Sequence, residues 1–124
     1  MSLHRLGARL TRLEHAARRV VRVADVQEVV VRLLAEASTE IGLAPSRVQA
    51  LCTACAQIFH SLSPAVPARL SDLQVIEAFM ARVTAAVIVM LDTHVPDPST
   101  RYRLRQALSQ AYEREALRHE GCTG

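Results

Sequence analysis

The chain of 124 residues has no lysine and no tryptophan, two Phe, two Tyr, four Gly and five Pro. A chain so poor in aromatics and turn residues, and so rich in Ala, Leu and Val, suits close-packed helices better than a sheet. Because lysine is absent, all fifteen basic residues are Arg, and a bias that uniform reads first as coding bias rather than selection at one site. Arg still pairs bidentately with carboxylate or phosphate and stays charged, but its clusters are discounted accordingly. Cysteine is scarce and odd in number, with Cys52, Cys55 and Cys122 in a chain lacking an evident secretory signal. That argues against a disulfide framework and for a reducing, cytoplasmic setting. Long apolar runs are missing as well: the longest nearly uninterrupted one, residues 83–91, falls short of the roughly 20 residues a bilayer needs, so no membrane span is expected.

What is present is an apolar half of the composition, enough for one domain spanning residues 1–124 with a real but small core that oligomerisation could complete. The formal charge of +3 divides unevenly. Residues 1–34 hold seven Arg against three acids, residues 35–98 three against six, and residues 99–124 five against three, so the ends are basic and the middle is not.

Residues 71–92, SDLQVIEAFMARVTAAVIVMLD, carry the clearest helix signal, and the rest of the chain is expected to organise around them. Ser71 with Gln74 reads as a capping box, with Leu70 and Val75 at the staple positions. Val75, Ile76, Phe79, Met80 and Val83 are expected inward, and from residue 85 to 91 no face is polar, so something should surround that end.

At the start of the chain, Leu3, Leu6, Leu10, Leu13, Ala17, Val20 and Ala24, then Val31 and Leu34, recur at heptad spacing with Gln27 the one polar intruder, which predicts one long helix over residues 3–41. Arg5, Arg9, Arg12, Arg18, Arg19 and Arg22 surround its narrow early seam, and residues 1–19 could protrude as an Arg-rich amphipathic helix. A solvated face on a pairing helix, a surface for nucleic acid or an acidic partner, and a mitochondrial presequence all fit. Continuity of the seam into residues 20–34 speaks against a removable segment.

A break at residues 42–45 precedes Ser46 and Gln49, a second Ser-x-x-Gln start that opens a helix over residues 46–62. Across residues 34–51, LAEASTEIGLAPSRVQAL, the small Ser38, Ile41, the turn Gly42, Val48 and Leu51 resemble a helix-turn-helix. That resemblance, about twenty residues long, implies a recognition helix at 46–62 with Arg47, Gln49, Ala50 and Thr53 toward the major groove.

Cys52 and Cys55 lie, at about 100° per residue, on the same side as Val48, Phe59 and Leu62, which reads as structural thiols on a core face. A zinc site would need His60 and a further ligand from His94, His119 or Cys122, none at a recognisable spacing, so no metal or cofactor is expected. Glu40, Cys52 and Cys55 also match the spacing of the all-helical peroxidase family related to alkylhydroperoxidase D. That family places a His where this chain has Phe59, and Pro45 interrupts the approach to its redox helix.

Residues 63–69 and 93–98 are Pro-punctuated connectors, and Asp97 before Pro98 starts a last helix over 98–119, with Gly121 as its stop. Its thin apolar side, Leu104, Ala107, Leu108, Ala111 and Tyr112, marks a cover helix. Arg101, Arg103 and Arg105 alternate, so they cannot form one dense patch. The expected fold is therefore an all-α bundle of four main helices, 3–41, 46–62, 71–92 and 98–119, with short connectors between antiparallel neighbours. No nucleophile–base, His–carboxylate or Gly-rich constellation points to an enzyme. The expected function is a non-catalytic interaction module, an oligomeric adaptor or regulatory subunit. It would form a homodimer or hetero-complex through Leu3, Leu6, Leu10 and Leu13 with Arg5, Arg9 and Arg12, the alternative being a helix-turn-helix DNA-binding regulator.

Overall fold

The computed structural model describes residues 21–62 and 66–123. Along the chain come strand β1 (Val21–Arg22), helix α1 (Val23–Glu40), helix α2 (Pro45–Leu62), strand β2 (Arg69–Leu70), helix α3 (Leu73–His94) and helix α4 (Pro98–Thr123). The fold is all-α, apart from a two-stranded ladder of four residues. Helix α1 packs against both α2 and α4, and α2 packs against α3, so the described helices form a row in the order α4, α1, α2, α3. The helices flanked on two sides are thus α1 and α2, whereas α3, expected to be the centre, ends the row.

Helix α1 does not continue back into one long helix. Arg22 is extended, at φ −90° and ψ 130°, and β1 pairs antiparallel with β2 in the register Val21↔Leu70 and Arg22↔Arg69. Val23 N–H donates to the Ala68 carbonyl at 3.0 Å. Three valines around Arg22 are stiff at χ1 and suit a strand, so once residues 68–70 offer backbone partners, the helical phase is interrupted. The continuity that argued against a targeting segment is lost with it. The seam residues Leu3, Leu6, Leu10 and Leu13, with Arg5, Arg9 and Arg12, lie outside the described residues.

The turn between α1 and α2 is built by the backbone. Gly42 N–H donates to Thr39 O at 3.0 Å and Leu43 N–H to Ser38 O at 3.1 Å, with Gly42 at φ +84°. This paired closure satisfies carbonyls that the helix end leaves open, and the half-buried Leu43 packs against the core. Helix α2 then opens at Pro45, with the Ala44 carbonyl accepting from Arg47 and Val48 N–H. Pro suits the first helical position, and Ser46 falls inside the first turn rather than capping it.

At the start of α3 the cap is Asp72, not Ser71. Its Oδ1 accepts from Gln74 N–H at 2.8 Å and Val75 N–H at 3.3 Å, while Leu70 is buried in β2. The shift of one residue removes Leu70 and Val75 from the staple positions. Asp97 caps α4 as expected, accepting from Thr100 N–H at 2.9 Å, with Pro98 in the first turn. Its carboxyl is held below the usual range by the Thr100 hydroxyl and then the Thr100 amide. Helix α4 runs through Gly121 to Thr123, past the expected stop. Glycine is tolerated in a helix, at a cost of about 1 kcal/mol against Ala.

Side chains from all four helices share one core: Leu33 and Leu34 from α1, Cys55 and Phe59 from α2, Ile76, Val83 and Leu91 from α3, and Leu104, Leu108 and Tyr112 from α4. Phe59 and Phe79 meet edge to face with centroids 6.2 Å apart, fastening α3 to α2. The thin apolar side of α4 is buried as expected, Tyr112 included.

A Cβ at Gly42 would meet nothing within 4 Å, so a substitution there meets conformational strain alone. Gly42→Ala should lower unfolding free energy by about 1–2 kcal/mol in urea titration, and Gly42→Asn by less, since Asn tolerates the left-handed region better.

Candidate interaction surface

Helix α3 presents two contrasting sides. Ile76, Phe79, Met80, Val83, Val87, Met90 and Leu91 are buried, which leaves the opposite side to Gln74, Val75, Ala78, Ala81, Arg82, Ala85, Val89 and Asp92, all exposed. Two of these are large apolar residues with much of their surface in solvent, Val75 at 48% and Val89 at 63%. The inward placement expected for Val75 is therefore wrong, and the end of the helix at residues 85–91 is not surrounded. Ile76, Phe79, Met80 and Val83 are buried as expected, whereas Val75 lies about 100° round the helix from Ile76, and its apolar character alone does not bring it inward.

Beside this face, α2 and α3 flank a shallow groove of about 280 Å³, with Ala54, Ile58 and Gln57 on one wall and Ala86, Val89 and His94 on the other. Ile58 and Ala54 are partly buried there, so the groove continues the apolar strip of α3 toward α2. Helix α3 is also long and apolar enough to cross a membrane by length and composition, with 39% of its apolar window buried. Glu77 and Arg82 divide the stretch, so no single uninterrupted apolar run reveals its full length. In the fold, its buried residues pack against α2 and β2.

On α2, the residues of the helix-turn-helix resemblance are all exposed: Arg47, Gln49, Ala50 and Thr53. With Gln57, His60 and Ser61 they make a polar outer side whose one guanidinium is Arg47. A second cation comes from α4, where Arg103 donates to the Ile41 carbonyl at 3.3 Å and so stands at the α1–α2 turn. Arg101 is held elsewhere, donating to the Val95 carbonyl at 3.2 Å and pairing with Asp92 at 3.3 Å. Arg101 and Arg103 are therefore held at different places. A hollow of about 570 Å³ beside the ladder has Phe59, His60 and Val66 in its lining and Arg22 and Arg69 as its cationic groups.

The thiols take the core-side positions expected of them, one more completely than the other. Cys55 is fully buried, and burial, with the neighbouring Cys52, pushes its pKa up to about 12. Cys52 is half-buried, its thiol reaching the Val31 carbonyl at 3.9 Å, and burial raises its pKa too. Tyr112 is raised by burial and then by Cys55. An attacking thiolate needs the opposite environment, a positive neighbour and solvent access. Among the described residues no group of three His, Cys, Asp or Glu side chains is placed to hold a metal ion.

A charged chain joins α1 to α4. Arg32 donates to Glu115 Oε1 at 2.9 Å and lies 3.4 Å from Glu36, while Arg118 lies 3.3 Å from Glu115 Oε2. Glu115 is the buried member, and its two guanidinium neighbours answer its charge on both oxygens. The arrangement is a structural clamp.

No protein-family model, no curated protein and no solved structure matches the chain. For α3, sequence periodicity placed Ile76, Phe79, Met80 and Val83 inward, as the structure has them, but could not say which side of residues 85–91 the chain itself covers.

Two measurements check the thiol environment. Cys55 should resist a thiol reagent in the native protein and react once the chain is unfolded in urea. Its folded pKa is raised, so the protonated form is favoured by folding; that stability is fully present below the ordinary thiol value of 9.0 and is lost as pH rises toward about 12. Urea midpoints should fall across that alkaline window, and Cys55→Ala should flatten the fall.

Proposed function

We propose that the protein is a non-catalytic helical interaction module, an oligomeric adaptor or regulatory subunit that works in the cytoplasm by binding other helices. The observation that carries this reading is the outer side of α3, where Val75, Ala78, Ala81, Ala85 and Val89 form one exposed strip broken only by Arg82. Contiguous exposed apolar surface is costly in water and marks sites where a protein meets a partner. The strip lies on a rigid helix anchored by Phe79 against Phe59, so its geometry does not depend on a loop.

The N-terminal seam supplies a second helix-binding surface in this reading. The three-and-four spacing of Leu3, Leu6, Leu10 and Leu13 in the sequence, with Arg5, Arg9 and Arg12 between them, is a pattern suited to pairing with an amphipathic helix that carries acids beside its apolar side. The hollow beside β1, with Arg22 and Arg69 at its rim, extends the same preference for an acidic partner.

A helix-turn-helix DNA-binding regulator is the second reading, favoured by the full exposure of Arg47, Gln49 and Thr53 on α2 and by Arg103 at the preceding turn. Weighing against it, phosphate contacts supply most of the affinity in such complexes, and the outer side of α2 has one Arg.

Two experiments test these readings. Light scattering on the full chain should show an assembly larger than one copy at high micromolar concentration, or a co-purifying protein; a lone monomer with neither would end the first reading. Leu6→Ser with Leu10→Ser should weaken capture of a hetero-partner while the circular dichroism of the helices is retained. For the second reading, titration with duplex DNA should show only weak binding that falls steeply with salt. Tight, sequence-selective binding lost in Arg47→Ala or Gln49→Ala would reverse the ranking.

A further inference from the structure

The outer side of α3 has one property that a generic apolar strip lacks: it complements itself. Its two central charges, Arg82 and Asp92, are both exposed and stand at equal sequence distance on either side of residue 87. The same centre relates Ala85 to Val89, a small residue to a large one, and Ala81 to Thr93. When two copies of a helix pack antiparallel about a two-fold axis, residue i of one meets residue j of the other and j meets i. With that axis at the level of residue 87, each Arg82 comes level with the partner's Asp92, and each Ala85 leaves room for the partner's Val89.

We propose that a second copy of this chain covers the outer side of α3, forming a two-fold antiparallel α3–α3 pair centred at residue 87. This deepens the reading of the protein as an oligomeric module and rests on it. Three features choose a second copy over an unrelated partner. The charges are complementary under the symmetry operation, with one of each sign. Parallel packing in register would set Arg82 against Arg82 and Asp92 against Asp92, so the charges also select the orientation. Ala81 and Ala85 are small, so two backbones can approach at the close end of the usual interhelical range.

Asp92 already pairs with Arg101 at 3.3 Å and remains about half exposed, so it can accept a second guanidinium from across the axis. Among the described residues Arg82 makes no ion pair within its own chain, and the partner's Asp92 would provide one. The groove between α2 and α3 flanks the same axis, and Ile58 and Ala86 extend the apolar contact beyond the two helices.

The test uses the full chain and measures self-association by sedimentation velocity. The wild type should dimerise. Val89→Arg, Arg82→Asp and Asp92→Arg should each raise the dimer dissociation constant at least tenfold, with helicity retained because all three side chains are exposed. The decisive arm mixes the two charge reversals one to one. Arg82→Asp then offers two acids where Asp92→Arg offers two guanidiniums, so a heterodimer should form with affinity restored toward the wild-type value, seen by native mass spectrometry. A disturbed Arg101 contact or a misfolded variant cannot produce that rescue.

An unchanged dimer in all three variants, or failure of the mixture to recover, would overturn the α3 pair. If the dimer instead falls apart in Leu6→Ser with Leu10→Ser alone, the α3 pair is wrong while the oligomeric reading stands. A wild type that stays monomeric at high micromolar concentration overturns the α3 pair too, and leaves only a hetero-partner for the module. Flotation with phosphatidylcholine vesicles, lost in Val89→Arg and without any dimer, would overturn it in favour of a lipid surface.

Discussion

Everything in this fold depends on α1 burying two sides at once, one toward α2 and one toward α4. A helix in that position cannot present bulky residues all round, and α1 meets the constraint with Ala37 and Ser38, both fully buried, next to Leu33 and Leu34. Ser38 is polar, and its hydroxyl donates to the Leu34 carbonyl at 2.7 Å, so the close approach leaves no hydroxyl unsatisfied. The apolar contribution dominates the energetics: fully burying each Leu or Val is worth about 1.5–3 kcal/mol, whereas a part-exposed ion pair is worth about 1 kcal/mol or less. The Arg32–Glu115 pair therefore adds little net stability. It selects, because any other register of α4 on α1 would part the buried Glu115 from Arg32 and leave it the same-helix Arg118 alone.

The turn at Gly42 and the cap at Asp97 decide where the next helices start, and both could be seen in the sequence because both are local. Gly after a helical pattern and Asp before Pro act within four residues. The misplaced caps were also local, and the reason is degeneracy. Ser71 and Asp72 are adjacent and both can cap, so only geometry shows that the Asp72 carboxylate takes the two amides. The interruption at Val21–Arg22 has a different origin. Heptad spacing runs from Val20 to Ala24 in phase across these residues, and what breaks the helix is a ladder with Arg69 and Leu70, far along the chain. Periodicity records what a segment could do alone, and strand pairing across the chain is invisible to it.

The same limit governs the candidate surface. Residues 85–91 are apolar on every side, and such a pattern says that burial is favourable without saying what provides it. The chain covers Val87, Met90 and Leu91 itself, through α2 and the core, and leaves Ala85 and Val89 outside. On α2 the sequence could tell the outward residues, because polar and apolar positions there separate cleanly: Gln49, Thr53 and Gln57 face out, and Leu51, Cys55 and Phe59 face in. Clean separation marks a helix whose neighbours all lie within its own chain. Helix α3 lacks it.

That difference connects the fold to the function proposed for it. In the row α4, α1, α2, α3, the two inner helices each have a neighbour on either side, whereas α4 and α3 are ends. The outer side of α4 is mostly polar, with Arg105, Gln106, Gln110, Glu113 and Arg114 exposed along it around Tyr102 and Leu117. The outer side of α3 has the composition of an inner helix. A two-fold axis through residue 87 makes it one, by extending the row from four helices to eight and placing both α3 helices at the centre. Arg82 and Asp92 then have a role like that of Arg32 and Glu115 within the chain: apolar contact supplies most of the free energy, and the charges reject the wrong alignment.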